Sequence, residues 1–360
     1  MSQLSNLKNI TLNLSSWFSL NKRDLPWRHQ ISSYGVWVSE VMLQQTQVVA
    51  VVPYFKRWME QFSDIEALAL ANSAHVLKMW EGLGYYSRAR RLHQGAKDLY
   101  SRGLKDLPRT REELLKISGI GEYTAGAILC FAWKKRELAI DGNVARVITR
   151  LFDIETALEL KKTKLRIKDR MQSLLNEDDK SNLMESVIEF GALVCKKQPL
   201  CSQCPLKSAC LAYKEGKALT LPVKQPRRKT VHLHRLAPIL ISNGEIVLEK
   251  RGEGEVMEGL YEFPYHTFCE KKEGLKVALE DFIRKNQLEG VKVRKLEVIC
   301  HYFTRYKVML YPALFFLEKF PPSVQRSSFY PLSKIKEFTL SSGHKKIWDE
   351  VRLLLKKESL

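Results

Sequence analysis

Leu114-Leu115-Lys116-Ile117-Ser118-Gly119-Ile120-Gly121-Glu122-Tyr123-Thr124-Ala125-Gly126-Ala127-Ile128 is the stretch on which the reading of the fold turns. A helical run closes, a Gly-x-Gly turn follows, and a second helical run begins. Glycine lets the backbone turn tightly and approach a ligand closely. The free N–H groups that open the next helix face outward and can hold a phosphate without reading sequence. An ordinary helix–helix corner uses the same glycines, so Gly119 and Gly121 point to a phosphate only in company.

Outward from this turn, residues 7–215 read as mostly helical, with apolar residues at three- and four-residue intervals in Ile65–Trp80, Arg111–Ile117, Thr124–Trp133 and Ser181–Val194. After that the character changes. Leu221-Pro222-Val223-Lys224-Gln225-Pro226-Arg227-Arg228-Lys229 is basic and proline-containing, as in a linker. Beyond it Pro238–Ser242 and Glu245–Glu249 flank Asn243-Gly244, a hairpin signal, Val308–Phe316 reads as a strand, and Gly343–Lys356 as an amphipathic helix. The expected organisation is a helical region over 1–217, a linker over 218–230 and an α+β domain over 231–360.

Lys and Arg total 59 against 40 acids, a net charge of +19. A field of that sign favours polyanions, nucleic acid above all, although an anionic membrane surface or plain solubility also accommodates it. No uncharged apolar run is long enough to span a bilayer and the N-terminus does not read as a secretory signal, so a cytoplasmic protein, nucleoid-associated if bacterial, is expected. At 360 residues a monomer of two domains is expected.

Four of the seven cysteines crowd into Cys195-x5-Cys201-x2-Cys204-x5-Cys210. Four thiolates within so short a span can wrap one metal centre. Zinc sites usually pair two Cys-x2-Cys knuckles, and only one is present, whereas iron–sulfur clusters accept looser spacings. An iron–sulfur centre is favoured over zinc. Lys196, Lys197 and Lys207 place positive charge on the loop, suited to phosphate or simply to water.

Two acids have the setting of acid–base groups. Glu40 lies in Val36-Trp37-Val38-Ser39-Glu40-Val41-Met42-Leu43, with Trp37 and Leu43 on its face. A carboxyl there is either a general acid of raised pKa or a buried partner of an arginine. Asp141, in Ile140-Asp141-Gly142-Asn143, precedes a helical run and reads first as an N-cap. Its alternative role is to stabilise a cationic transition state, since one protonated and one ionised carboxyl is what glycosidic cleavage requires. Gln44-Gln45-Thr46-Gln47 reads as polar on an otherwise apolar helix, by default a solvated face. Tyr85 and Tyr86 beside Arg88, Arg90 and Arg91 suit base stacking or a core contact.

Together Leu25-Pro26-Trp27-Arg28, Ser39–Val48, Gly82-Leu83-Gly84-Tyr85-Tyr86, the Gly119 turn, Asp141-Gly142-Asn143 and the cysteine loop resemble the helix–hairpin–helix DNA glycosylases, and within them the MutY adenine glycosylases. The motifs follow family order over about the first 215 residues. The remainder resembles the MutT-like (Nudix-like) domain of that family through Gly259-Leu260-Tyr261-Glu262-Phe263-Pro264. It lacks the acid-rich helix of a pyrophosphohydrolase and is expected to recognise the lesion.

The resemblance implies excision of adenine mispaired with 8-oxoguanine or guanine in double-stranded DNA, with a [4Fe-4S] cluster on Cys195, Cys201, Cys204 and Cys210. It implies Glu40 as the acid that protonates adenine N7, and Asp141 as the carboxylate that stabilises or traps the sugar cation. Tyr123 and Asn143 would support them. Gln45, Thr46 and Tyr85 would fill the stack when adenine flips out, and Arg28 and Glu185 would line its pocket. Tyr123 stands where bifunctional relatives carry a Schiff-base lysine, implying base excision without strong strand cleavage. The chain departs from the family in a first cysteine gap one residue short, in Ile117-Ser118 for the usual Leu-Pro, and in Phe303-Thr304-Arg305 for the Phe-Ser-His reader of 8-oxoguanine. The alternatives are an endonuclease III-like glycosylase for oxidised pyrimidines, a non-enzymatic iron–sulfur DNA-binding protein, and a nucleotide hydrolase.

Overall fold

The computed structural model describes residues 3–176, 182–226, 230–270, 274–303, 305–324 and 328–358. No helix among them is long and apolar enough to cross a membrane. The chain forms two compact units, Met1–Ala71 with Arg90–Pro226, and Asn72–Ala89 with Arg227–Leu360.

The helices run α1 (Gln3–Asn21), α2 (Ser33–Leu43), α3 (Val48–Gln61), α4 (Ile65–Leu70), α5 (Ser73–Met79), α6 (Ser87–Ser101), α7 (Arg111–Leu114), α8 (Glu122–Phe131), α9 (Gly142–Leu151), α10 (Lys161–Asn176), α11 (Leu183–Leu193) and α12 (Leu211–Lys214). The single helical run expected over Ile65–Trp80 is two. Asp64 accepts from the Ala67 N–H at the start of α4, and Asn72 accepts from the Ala74 N–H at the start of α5. Ala71 takes an extended conformation and Asn72 caps a new helix, so the run breaks between them. In the first unit a core of Leu14, Ala127, Val144, Ile148, Met171 and Phe190 joins α1 with α8–α11.

Segment 72–89, expected within the helical region, groups with the second unit. Lys78 Nζ donates to the Phe338 carbonyl at 2.9 Å, and Glu81 accepts from the Leu340 N–H at 3.1 Å. Part of the expected linker packs on the first unit, where the Leu158 N–H donates to the Val223 carbonyl and Arg150 Nε to the Leu221 carbonyl.

The second unit is built on β1 (Val231–Ser242), β2 (Glu245–Val247), β3 (Glu249–Lys250), β4 (Tyr261–Glu262), β5 (His266–Phe268), β6 (Val293–Lys295), β7 (Ile299–Phe303), β8 (Tyr306–Leu317) and β9 (Phe329–Pro331), with α13 (Gly274–Lys285) and α14 (Ser342–Glu358). β1 and β8 pair in parallel along their whole length. Beside them β1 pairs antiparallel with β2 and β5, and β8 with β6 and β7. The Asn243-Gly244 hairpin forms as expected, both residues at positive φ. Successive residues of β1 point to opposite faces. Ala237, Ile239 and Ile241 meet Ile347, Trp348 and Val351 of α14, while Leu236 and Leu240 meet Leu279 and Phe282 of α13.

Candidate active site

Glu40 stands in α2, capped by Ser32, whose hydroxyl accepts from the Gly35 N–H at 3.0 Å. The helix is buried from Ser33 to Met42, so its packing, not its amphipathicity, holds it. Glu40 is its only charge and is 6% exposed. Burial raises its carboxyl to about 7; the Tyr123 hydroxyl pulls it down, Asp141 and Glu185 push it up and Arg28 pulls it down. The hydroxyl of Tyr123, on α8, donates to Glu40 Oε2 at 2.7 Å. Desolvation and the neighbouring carboxylates raise the phenol well above its ordinary value, which keeps it a donor.

Asp141 is indeed the N-cap of α9. Oδ1 accepts from the Asn143 and Val144 N–H groups at 2.9 and 2.8 Å, and Oδ2 from Asn143 Nδ2 at 2.7 Å. Burial raises its pKa, and these hydrogen bonds with the Arg146 charge oppose the rise. Three donors and a helix N-terminus favour the ionised form. The two carboxyls thus have opposite surroundings: Glu40 in an apolar helix with one hydroxyl, Asp141 in a ring of N–H donors.

Asn143 is fixed from behind. Its Oδ1 accepts from Arg146 at 2.7 Å, and Arg146 also donates to the carbonyls of Gly191 and Cys195, each at 2.8 Å. A Cβ on Gly191 would lie 2.7 Å from the Asn143 Cβ, so α11 approaches this closely only because residue 191 is glycine.

These groups open on one cavity of about 1170 Å³. Glu40, Tyr123, Asp141 and Asn143 line it, as do Arg28, Glu185, Gln45, Thr46, Gly119 and Gly121. Arg28 donates to Glu185 at 2.7 Å. Gly119 has φ +82°, and a Cβ there would meet Arg91 at 2.9 Å; the turn closes without the proline, through Ile120 N–H to the Ile117 carbonyl. Gly121 precedes α8 with open space at its Cβ position.

Gln44–Gln47 differ from the expectation of a helix: α2 ends at Leu43, Gln45 takes φ 58°, and α3 starts at Val48. A positive φ breaks the helical ladder and exposes Gln45 at the cavity. In the second unit Tyr85 also has positive φ, 47°, and is 46% exposed, whereas Tyr86 is buried. Phe303 ends β7 with its ring on His301 and Tyr306, while its neighbour Tyr302 is 68% exposed. Thr304 lies outside the described residues.

Sequence reasoning overlooked Arg23 and Glu189. Glu189 is 2% exposed and accepts from the Arg23 N–H, Nε and Nη2 at 2.8–2.9 Å and from Arg28 Nη1 and Nη2 at 3.3 Å. It follows Glu185 by one helical turn, the only signal that both share a face.

The four cluster cysteines line one small cavity with Arg150, Val194 and Leu200. Among the described residues no three His, Cys, Asp or Glu side chains converge as ligands of a single ion do. Arg150 is buried and donates to the carbonyls of Lys196, Lys197 and Leu221, and to Cys195 Sγ at 3.4 Å. It meets no carboxylate among the described residues. Its guanidinium is satisfied by these carbonyls and the Cys195 sulfur. Four cysteines around one cavity are a donor set able to hold a metal centre.

Residues 38–176 match the HhH-GPD superfamily of base excision DNA repair proteins, and residues 237–350 match the NUDIX domain. The adenine DNA glycosylase of Mus musculus is 31% identical over 351 residues, covering 82% of this chain and 68% of the relative. That of Buchnera aphidicola subsp. Baizongia pistaciae is 30% identical over 307 residues, covering 84% and 85%. The chain belongs to the adenine DNA glycosylase family. It spans about half the length of the family members it matches in Rattus norvegicus and Arabidopsis thaliana. A solved thermostable thymine-DNA glycosylase shares the fold, with a TM-score of 0.52 at 23% identity over 59% of this chain and 98% of that one. In this member of the adenine DNA glycosylase family, α13 of the NUDIX unit carries Glu280 and Asp281, and Asp281 is paired with Arg284 and Lys285.

Proposed function

We propose that this chain excises adenine from duplex DNA where it is mispaired with 8-oxoguanine or guanine. The observation that carries the proposal is the pair of carboxyls at one open cavity, Glu40 in an apolar helix with a single hydroxyl donor and Asp141 held by three N–H donors. Glu40 donates its proton to N7 of the extruded adenine, which leaves with the electrons of the glycosidic bond. Asp141, aimed by Asn143, stabilises the sugar cation, which water captures. Arg28 and Glu185 bound the base pocket. Gln45, Thr46 and Tyr85 fill the gap left in the stack, and Gly119 and Gly121 admit a phosphate against the backbone. Phe303 and Thr304 would read the base opposite adenine, as the family resemblance implies.

Cys195, Cys201, Cys204 and Cys210 would hold a [4Fe-4S] cluster, whose chemistry here is that of a covalent cross-link. Through it Lys196 and Lys197, which line the cavity, stay in reach of phosphate. Iron and sulfide analysis of wild type and Cys201→Ser tests this assignment.

The decisive experiment is single-turnover adenine release from a duplex with adenine opposite 8-oxoguanine or guanine, for wild type and Glu40→Gln. Release by wild type alone supports the proposal. Release of oxidised pyrimidines instead, with a borohydride-trapped Schiff base, supports the endonuclease III-like alternative. Tyr123 offers no amine for that step. Tight DNA binding without release supports a non-enzymatic protein.

A further inference from the structure

Glu189 neither contacts Glu40 nor faces open solvent, yet it is the most heavily hydrogen-bonded carboxylate of the cavity wall. Burial alone would push its carboxyl up; the hydrogen bonds from Arg23 and Arg28 outweigh that and hold it at about 2. It is therefore ionised across the working pH range. Arg28, stacked over the Phe18 ring, divides its guanidinium between Glu185 and Glu189 and also donates to the Arg23 carbonyl at 2.7 Å. Arg23 and Arg28 are thus balanced by Glu185 and Glu189, four charges summing to zero beside the acid.

We infer that Glu189 is a positioning residue that keeps Glu40 in its proton-donating form, by compensating Arg28 and holding its guanidinium on α11, away from the Glu40 carboxyl. The inference rests on the glycosylase reading for its consequence in catalysis, but not for the charge balance itself.

The groups that face Glu40 are few. Tyr123 comes from α8, Asp141 from the cap of α9, Glu185 from α11 and Arg28 from the turn Pro26–Arg28. On the remaining side α3 contributes only Val48 and Val49 to the cavity wall. Among the described residues that bear on Glu40, Arg28 is the one cation. Without the Glu189 charge, Arg28 keeps a single counter-ion and the cluster becomes net positive. A positive neighbour favours the carboxylate of Glu40 over the acid, and a general acid must be protonated to act. Removing Arg23 instead leaves the cluster net negative and favours the protonated form. The two substitutions sit in one ion pair and displace the acid in opposite directions, which a loss of packing does not do.

The test measures single-turnover adenine release between pH 5.5 and 9 with the full-length, cluster-loaded protein. In parallel, the Glu40 carboxyl resonance is followed by 13C NMR as the difference between wild type and Glu40→Gln. In Glu189→Gln the alkaline limb and the Glu40 titration move down by about half a pH unit or more. In Arg23→Gln both move up. Arg23→Gln/Glu189→Gln returns them near wild type, and Glu189→Asp, which keeps the charge, holds them there. Uniformly lower rates with an unmoved limb, or single substitutions that shift it in the same direction, overturn the inference. Should Glu189→Gln fail to fold, Arg23→Gln and the double variant decide. Displaced NMR titrations without any wild-type adenine release would sustain the charge balance and sink the glycosylase reading.

Discussion

Both units bury titratable groups, and only one makes a site of them. In the helical unit Glu40 and Asp141 share a cavity of about 1170 Å³. In the sheet unit His344 is 1% exposed and its Nδ1 accepts from the Phe263 N–H, while both ring nitrogens of His301 are buried without a partner among the described residues. Burial pushes His344 down to about 3, helped by the charges of His301, Arg235 and Arg251, and His301 to about 4, helped by those of Arg235 and Lys346. These histidines are neutral side chains of a core. The lesson is that a shifted pKa marks a site only where the group also reaches a space that holds a substrate.

The difference is tested first on the reaction. Glu40→Gln lowers adenine release by about 10²–10⁴-fold, the usual contribution of a general acid. Asp141→Asn lowers it comparably. Asparagine caps a helix as well as aspartate, so the loss reports charge and not the fold of α9. Single-turnover rates together with melting curves separate the two.

Next comes stability, where the units should respond to pH in opposite senses. The folded pKa of Glu40 lies above its unfolded value, so folding binds a proton between pH 4.5 and 7 and stability falls as pH rises through that window. Glu40→Gln should therefore stabilise the helical unit at pH 8 on the order of 2–3 kcal/mol, a gain that fades towards pH 4.5. The variant is less active and more stable, as expected where function holds a carboxyl in an apolar place. His344 has the reverse sign. Its folded pKa lies below the unfolded one, so the stability it confers is present above pH 6.5 and is lost as pH falls towards 3. Between pH 7 and 5 wild type should lose about 2 kcal/mol more than His344→Gln in the sheet unit. Denaturant titrations at several pH values check both signs.

The smallest effects come from the hairpin. Gly119→Ala should cost about 1–2 kcal/mol, because φ is positive and Arg91 is close. Gly121→Ala meets open space at φ −101° and should change stability by less than about 0.5 kcal/mol. A fall in DNA affinity for Gly121→Ala without a fall in stability would isolate the close approach of the backbone to phosphate.

Much of this site was legible from local sequence. Glu40 alone in an apolar helical run announced a buried acid, and Asp141 before Gly142-Asn143 announced a cap. Both are properties of a few adjacent residues. Gln44–Gln47 misled, because polar residues following an apolar helical run do not say whether the helix continues, and a positive φ at Gln45 decided it. Tyr85 and Tyr86 are chemically alike in the sequence, yet one is exposed and the other buried.

Local sequence carries the helical and sheet regions, the cysteine loop, the Asn243-Gly244 hairpin, the buried acid at Glu40 and the cap at Asp141, since spacing, turn chemistry and capping act over short distances. The packing of distant elements is what makes Tyr123 donate to Glu40, joins Arg23, Arg28, Glu185 and Glu189 in one cluster, buries Arg150 against the cysteine loop and places segment 72–89 with the sheet unit. Those facts depend on residues brought together across as many as about 260 positions of chain. Pairing at that range is fixed by the packing of whole elements, which no local pattern records.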